Sequence, residues 1–174
     1  MKKLSLLIAV VLITCTSSFA QMTKEQVVAE WTRAKAYTKA YLDAMPADGF
    51  TSKATPEVRT YAQQFLHLAD ANYFFIATVT GKTPPLAKGV SVEKTVEQTK
   101  EATTKAVLDS YDFAIASIAT LADAQMQETV EMGKMKTTRG QLLAKAFEHQ
   151  THHRGQGTIY LRLKGVTPPP EMLF

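Results

Sequence analysis

The sequence predicts an all-α protein, a four-helix bundle, on three observations. Four long segments carry apolar residues at helical spacing. Each is bounded by residues that cap or break helices. No segment alternates apolar and polar residues as a half-buried strand would. The composition keeps one character along 174 residues, which places a single domain with a proper core between residues 21 and 174.

The first twenty residues read separately. Lys2 and Lys3 precede a short apolar run over residues 4–13, and Ser18-Phe19-Ala20 forms a small-x-small cleavage site. That order predicts a secretory signal peptide cut between Ala20 and Gln21, hence an exported, periplasmic or secreted protein. The run is too short to span a bilayer, and no second one follows. Cys15, the only cysteine, leaves with this segment, so the mature chain has neither a disulfide nor a thiol nucleophile. Leu12-Ile13-Thr14-Cys15 also loosely matches a lipoprotein cleavage box, which gives lipid anchoring through Cys15 as the alternative. Loss of Lys2 and Lys3 lowers the 20 basic residues to 18 against 16 acidic ones. With no basic block interleaved with aromatics, nucleic acid is excluded as a partner.

The first helix is expected over residues 23–45, with Val27, Trp31, Ala34, Thr38, Tyr41 and Met45 along one stripe. Thr23 and Gln26 form a capping box, and Pro46 with Asp48-Gly49 ends the helix. A second helix is expected from about Thr55, capped ahead of Pro56 and closed by Gly81 and Pro84-Pro85. Val58, Tyr61, Phe65, Leu68 and Phe75 give its apolar face. The third is expected over residues 91–121, with Val92, Val96, Thr99, Thr103, Val107, Ser110, Ala114 and Ile118 inward. Residues 123–136 read as an extended crossover containing Met126, Val130 and Met132, broken at Gly133. The fourth helix starts near Thr137 or Thr138 and runs to Lys164, where Gly165 suits a C-terminal cap and Pro168-Pro169-Pro170 blocks continuation.

Chemistry concentrates in the four histidines, which occupy two places: His67, and the cluster His149, His152 and His153. Residues four apart on a helix face the same way, so His149 and His153 can reach one metal ion. A third imidazole from a facing helix completes three ligands and leaves coordination positions open. Phase selects within the adjacent pair. His153 continues the stripe Leu142, Ala146, His149, whereas His152 falls with Lys145, Glu148 and Gly155 on the polar flank. His67 sits with Gln63, Gln64, Asp70, Ala71 and Phe74 at the edge of its apolar stripe. Two imidazoles buried without partners would cost a few kcal/mol, a cost that a metal ion removes.

His149-x-x-x-His153-Arg154-Gly155-Gln156 resembles the signature of the DinB/YfiT-like superfamily, and His67-x-x-Asp70 resembles its upstream motif. The tail from Leu161 to Pro169 resembles that family's ending. The resemblance implies up-down-down-up connectivity, frequent dimers, and a site for zinc, nickel or a similar divalent ion on His67, His149 and His153. The superfamily includes thiol-dependent S-transferases and isomerases. Export sets this chain apart from those members, because low-molecular-weight thiols are chiefly cytoplasmic.

Around the site, Asp70 is a candidate to accept an imidazole N–H and fix a tautomer. Arg154 is a candidate partner for an acid on a neighbouring helix or for an anionic substrate. Gln156 can hydrogen-bond within the bundle or reach the ion's open positions, and Gly155 is expected where helices approach. Tyr160, Trp31 and the methionines read as packing. No Ser-His-Asp order, phosphate loop or paired-carboxylate motif stands out, and Glu148 points off the stripe. Two functions fit: a metal-dependent hydrolase or transferase acting on a small molecule, or a non-catalytic metal- or ligand-binding bundle in which the ion is structural.

Overall fold

A computed structural model describes residues 22–174; the expected signal peptide and the Cys15 alternative lie outside the described residues. The chain is predominantly helical, in the order α1 (Lys24–Ala44), α2 (Tyr61–Thr80), α3 (Val92–Thr95), α4 (Lys100–Ile118), a hairpin of β1 (Thr129–Met132) and β2 (Met135–Thr138), and α5 (Arg139–Leu163). Short 3₁₀ turns occupy Ala47–Gly49 and Asp123–Gln127. Helix α2 packs on both α4 and α5, and α1 packs on the same two. Among the described residues no helix is long and apolar enough to cross a membrane.

Helix starts follow side-chain chemistry. Thr23 with Gln26, Thr60 with Gln63 and Thr138 with Gln141 each form a reciprocal capping box, satisfying backbone N–H groups that the first turn leaves orphaned. The second helix therefore begins five residues later than expected from Thr55-Pro56, capped by Thr60 rather than Thr55. Residues 51–59 instead form turns, pinned by the Tyr61 N–H to Ser52 and the Ala62 N–H to Phe50. Helix α2 ends at Gly81, whose φ of +72° is the left-handed conformation glycine adopts without strain.

The expected third helix is interrupted. Val96 is extended (φ −81°, ψ 135°), ending the single turn of α3, and Thr99 caps α4 afresh. The outer part of that stripe thus belongs to a connection lying against α2, with Val92 buried beneath it. Residues 129–138, read as crossover, pair as an antiparallel hairpin that turns at Gly133 (φ +61°). That hairpin corrects the expectation of no strand. Its first strand, Thr-Val-Glu-Met, alternates over only four residues, with Val130 and Met132 half-buried against the core, and its second, Met-Lys-Thr-Thr, does not alternate.

One core joins the long helices. Trp31, Tyr61, Phe65, Leu66, Ile76, Tyr111, Ile118 and Leu161 are among its fully buried members. Edge-on aromatic contacts run from Phe50 to Tyr61 to Tyr160, with ring centroids 5.3 and 5.8 Å apart. Within it, Tyr111 bridges Thr38 on α1 (2.8 Å) and Gln150 on α5 (2.8 Å), tying three helices together through buried polar groups.

Candidate metal centre

Capping at Thr60 fixes the register of α2 and brings His67 two turns into the helix, facing α5. Capping at Thr138 does the same for α5, where His149 and His153 stand one turn apart. The three rings meet between the helices, with centroids 4.7 Å (His67–His153), 5.4 Å (His67–His149) and 4.5 Å (His149–His153) apart. One nitrogen from each lies within 4.8 Å of the others. Three close histidines of this kind can bind a metal ion. Phase alone had separated the adjacent pair correctly: His153 is buried, while His152 is exposed and contacts Gln156 across 2.6 Å.

The donor set fits a divalent ion. Burial, followed by the neighbouring imidazoles, drives the His153 pKa down to about 3, and burial lowers that of His149. Both rings are therefore neutral at physiological pH, with lone pairs available for coordination. The His153 Nδ1–H donates to Gln64 Oε1 (2.8 Å), which leaves Nε2 as the free donor atom. Nδ1 of His67 faces Glu93 Oε2 at 3.1 Å. A hydrogen there points at the carboxylate and again frees Nε2. Nδ1 of His149 is buried with no hydrogen-bond partner, a rare and costly state that a metal bond at that nitrogen would offset.

Glu93 and Gln64 had not been singled out from the sequence. Gln64 lies one turn before His67 on the same flank of α2, so helical spacing does contain that signal. Glu93 comes from α3, 26 residues downstream, and no spacing rule links it to His67. Its other oxygen accepts from Arg59 Nε at 2.7 Å. Arg59 Nη2, which can only donate, also stands 3.3 Å from His67 Nδ1. The Nδ1–H form follows the shorter contact to the Glu93 carboxylate and leaves this longer one unbonded. The main chain of Arg59 is held by the Tyr160 hydroxyl, which donates to its carbonyl. Tyr160 thus packs in the core and also braces the site's edge.

The neighbours expected from the motif fall elsewhere. Asp70 touches no histidine; its carboxylate accepts from Ser91 Oγ (2.6 Å), Val92 N (2.8 Å) and Glu93 N (3.2 Å). Arg154 is buried, stacks over Tyr37 at 4.4 Å and donates to Gln150 Oε1 at 2.8 Å. Among the described residues it forms no ion pair, so the expected acid on a neighbouring helix is absent there. Gln156 lines an open polar cleft of about 510 Å³ together with Arg59, Gln64 and Glu93. Gln64 and Glu93, which bond His153 and His67, stand in its wall, but none of the three imidazoles lines it.

Gly155 is not a point of helix approach: a Cβ there would meet nothing within 4 Å. The close approach is at Gly157, where a Cβ would lie 3.0 Å from Phe65 Cζ and 3.3 Å from Tyr41 Cδ1.

The fold has solved counterparts. A DinB-like protein from Bacillus cereus superposes with a TM-score of 0.68 at 20% identity, over 87% of this chain and 99% of its own. A DinB-like protein from Bacillus subtilis gives 0.67 at 19% identity, over 84% and 97%. No curated protein is significantly similar to the chain. The sequence model of the DinB family matches residues 17–172, nearly the whole chain, and by that match the chain belongs to the DinB family.

Proposed function

We propose that this chain is an exported DinB-family protein, an up-down-down-up four-helix bundle, that binds one zinc or nickel ion through His67, His149 and His153 and uses it to hydrolyse or transfer a group on a small-molecule substrate. The observation that carries this reading is the convergence of three imidazoles from α2 and α5, with the rings of His67 and His153 oriented by Glu93 and Gln64. A divalent ion held by neutral ligands keeps its full charge and acts as a Lewis acid on an oxygen or sulfur donor. The polar cleft beside the site supports access by a small molecule, with Arg59 and Gln156 at its wall to orient it.

Metal content of the mature, untagged protein tests the centre. About one equivalent in the wild type, lost in His149→Ala and His153→Ala, supports it; no metal after reconstitution with zinc or nickel overturns it. Export is tested separately by N-terminal sequencing of protein expressed from the full chain. A mature start at Gln21 outside the cytoplasm supports the signal peptide, a lipid-modified Cys15 supports anchoring, and an intact Met1 in the cytoplasm refutes both.

A second reading makes the ion a staple between helices. Its support is that the ligands come from two elements, α2 and α5, that pack directly on each other. It differs from the first in leaving the cleft without turnover whichever metal is supplied.

A further inference from the structure

The connection between α2 and α4, residues 81–99, is tied to α2 at one carboxylate. Asp70 accepts hydrogen bonds from Ser91 Oγ and from the backbone N–H groups of Val92 and Glu93, at 2.6, 2.8 and 3.2 Å. It therefore does for the single turn of α3 what an N-cap side chain does, although it sits on another helix. Val92 is buried at that point, so the turn is both bonded and packed. The next side chain, Glu93, reaches back to α2 and meets His67 Nδ1 at 3.1 Å. His67 and Asp70 are three apart on α2, so one flank of this helix both presents the imidazole and holds the segment that orients it.

Resting on the metal-centre reading of the three histidines, we infer that Asp70 is a positioning residue for His67, acting through the α3 turn and Glu93 to fix the imidazole with hydrogen on Nδ1 and its Nε2 lone pair free. Asp70 and Glu93 work in series. Without the Asp70 tether the turn loses three bonds, Glu93 loses its placement, and the His67 Nδ1–H loses its acceptor. Arg59 limits the loss, because its Nε still holds Glu93 Oε1 at 2.7 Å. The effect of Asp70 is accordingly smaller than that of Glu93 itself. The histidine-plus-aspartate spacing in the sequence thus has a consequence for the metal site without direct contact between the two side chains.

The test uses the mature protein and zinc alone, with Asp70→Ala, Glu93→Gln and the double variant. Loss of the carboxylate behind a ligand imidazole weakens metal binding by about 10–100-fold. Glu93→Gln is expected in that range, and Asp70→Ala at a smaller loss of about tenfold. The double variant is expected to match Glu93→Gln alone, since the two act through one contact. Single effects that multiply in the double variant, or an unchanged Kd in Asp70→Ala, overturn the inference.

The second readout is independent of any ion: the His67 tautomer in metal-free protein at pH 8, read from imidazole ¹⁵N correlations. Hydrogen on Nδ1 in the wild type, redistributed toward Nε2 in Asp70→Ala, supports the relay. Hydrogen on Nε2 in the wild type refutes it. Should zinc fail to bind the wild type, the metal reading falls and the tautomer still decides the positioning role. If Asp70→Ala does not fold, Ser91→Ala deletes one of the three tethers and leaves α2 intact. Its tautomer must shift in the same direction for the relay to stand.

Discussion

Gln64 on α2 and His153 on α5 share a buried hydrogen bond of 2.8 Å, and that single contact both joins two helices and selects which imidazole nitrogen is free. Gln64 is only 4% exposed, so its amide oxygen has no ready substitute in water. Gln64→Ala leaves the His153 Nδ1–H unsatisfied and is expected to destabilise the metal-free protein by about 1–3 kcal/mol. It is also expected to weaken zinc binding by about 10–100-fold. Urea unfolding and a competition titration with a zinc chelator measure the two effects. Unchanged affinity beside a clear loss of stability would confine Gln64 to packing.

The two glycines of the α5 motif should respond oppositely to alanine. Gly155 faces open space, and there Ala gains up to about 1 kcal/mol of helix stability. At Gly157 the same gain meets Phe65 and Tyr41 at 3.0–3.3 Å. Phe65 is itself stacked on Tyr61 at 4.8 Å, and the Tyr41 hydroxyl is bonded to Thr158 at 3.0 Å, so neither ring is free to yield. Overpacking of this kind costs about 1–3 kcal/mol. Chemical denaturation should therefore rank Gly155→Ala above wild type and Gly157→Ala below it. The reverse order would mean that α5 shifts to relieve the contact.

Where helix chemistry is local, the sequence was sufficient. Thr23 with Gln26 placed the start of α1, the fourth helix was expected from Thr137 or Thr138 and starts after Thr138, and helical phase put His149 and His153 inward and His152 outward. The same logic misplaced α2 by taking Thr55-Pro56 as its start, where the capping box that operates is Thr60 with Gln63. Only contacts from Ser52 and Phe50 to the Tyr61 and Ala62 amides settle which one operates. The α3 turn's approach to His67 depends on a carboxylate 21–23 residues away in sequence, a distance at which periodicity carries no information. The hairpin was missed for a different reason: only β1 alternates, over four residues, and β2 has no apolar stripe to match it.

Under the proposed metal centre, removal of the ion should lower thermal stability, since its three ligands come together only in the folded arrangement of α2 and α5. At free zinc about 100 times Kd, binding adds about 2.7 kcal/mol. For a domain of this size that corresponds to a rise in Tm of roughly 5–10 °C. Differential scanning of metal-free and reconstituted protein checks this, with His149→Ala as the control that should not respond. A matching rise in the His149→Ala variant would assign the stabilisation to zinc bound elsewhere.

Acid should destabilise the metal-free protein through the same histidines. In the unfolded chain an imidazole titrates near 6.5, whereas burial holds His153 in the folded protein down to about 3 and lowers His149 in the same direction. Above pH 6.5 both states leave these rings neutral, and their contribution to stability is fully present. As pH falls below 6.5 the unfolded chain binds protons that the folded protein refuses, so stability declines, and for His153 the decline continues toward pH 3. His153→Leu removes one of these groups and is expected to flatten the urea-unfolding profile between pH 7 and 5. A variant whose stability falls with acid as steeply as the wild type would show that His153 takes up its proton without unfolding, and that the pocket around Gln64 opens to accommodate the charge.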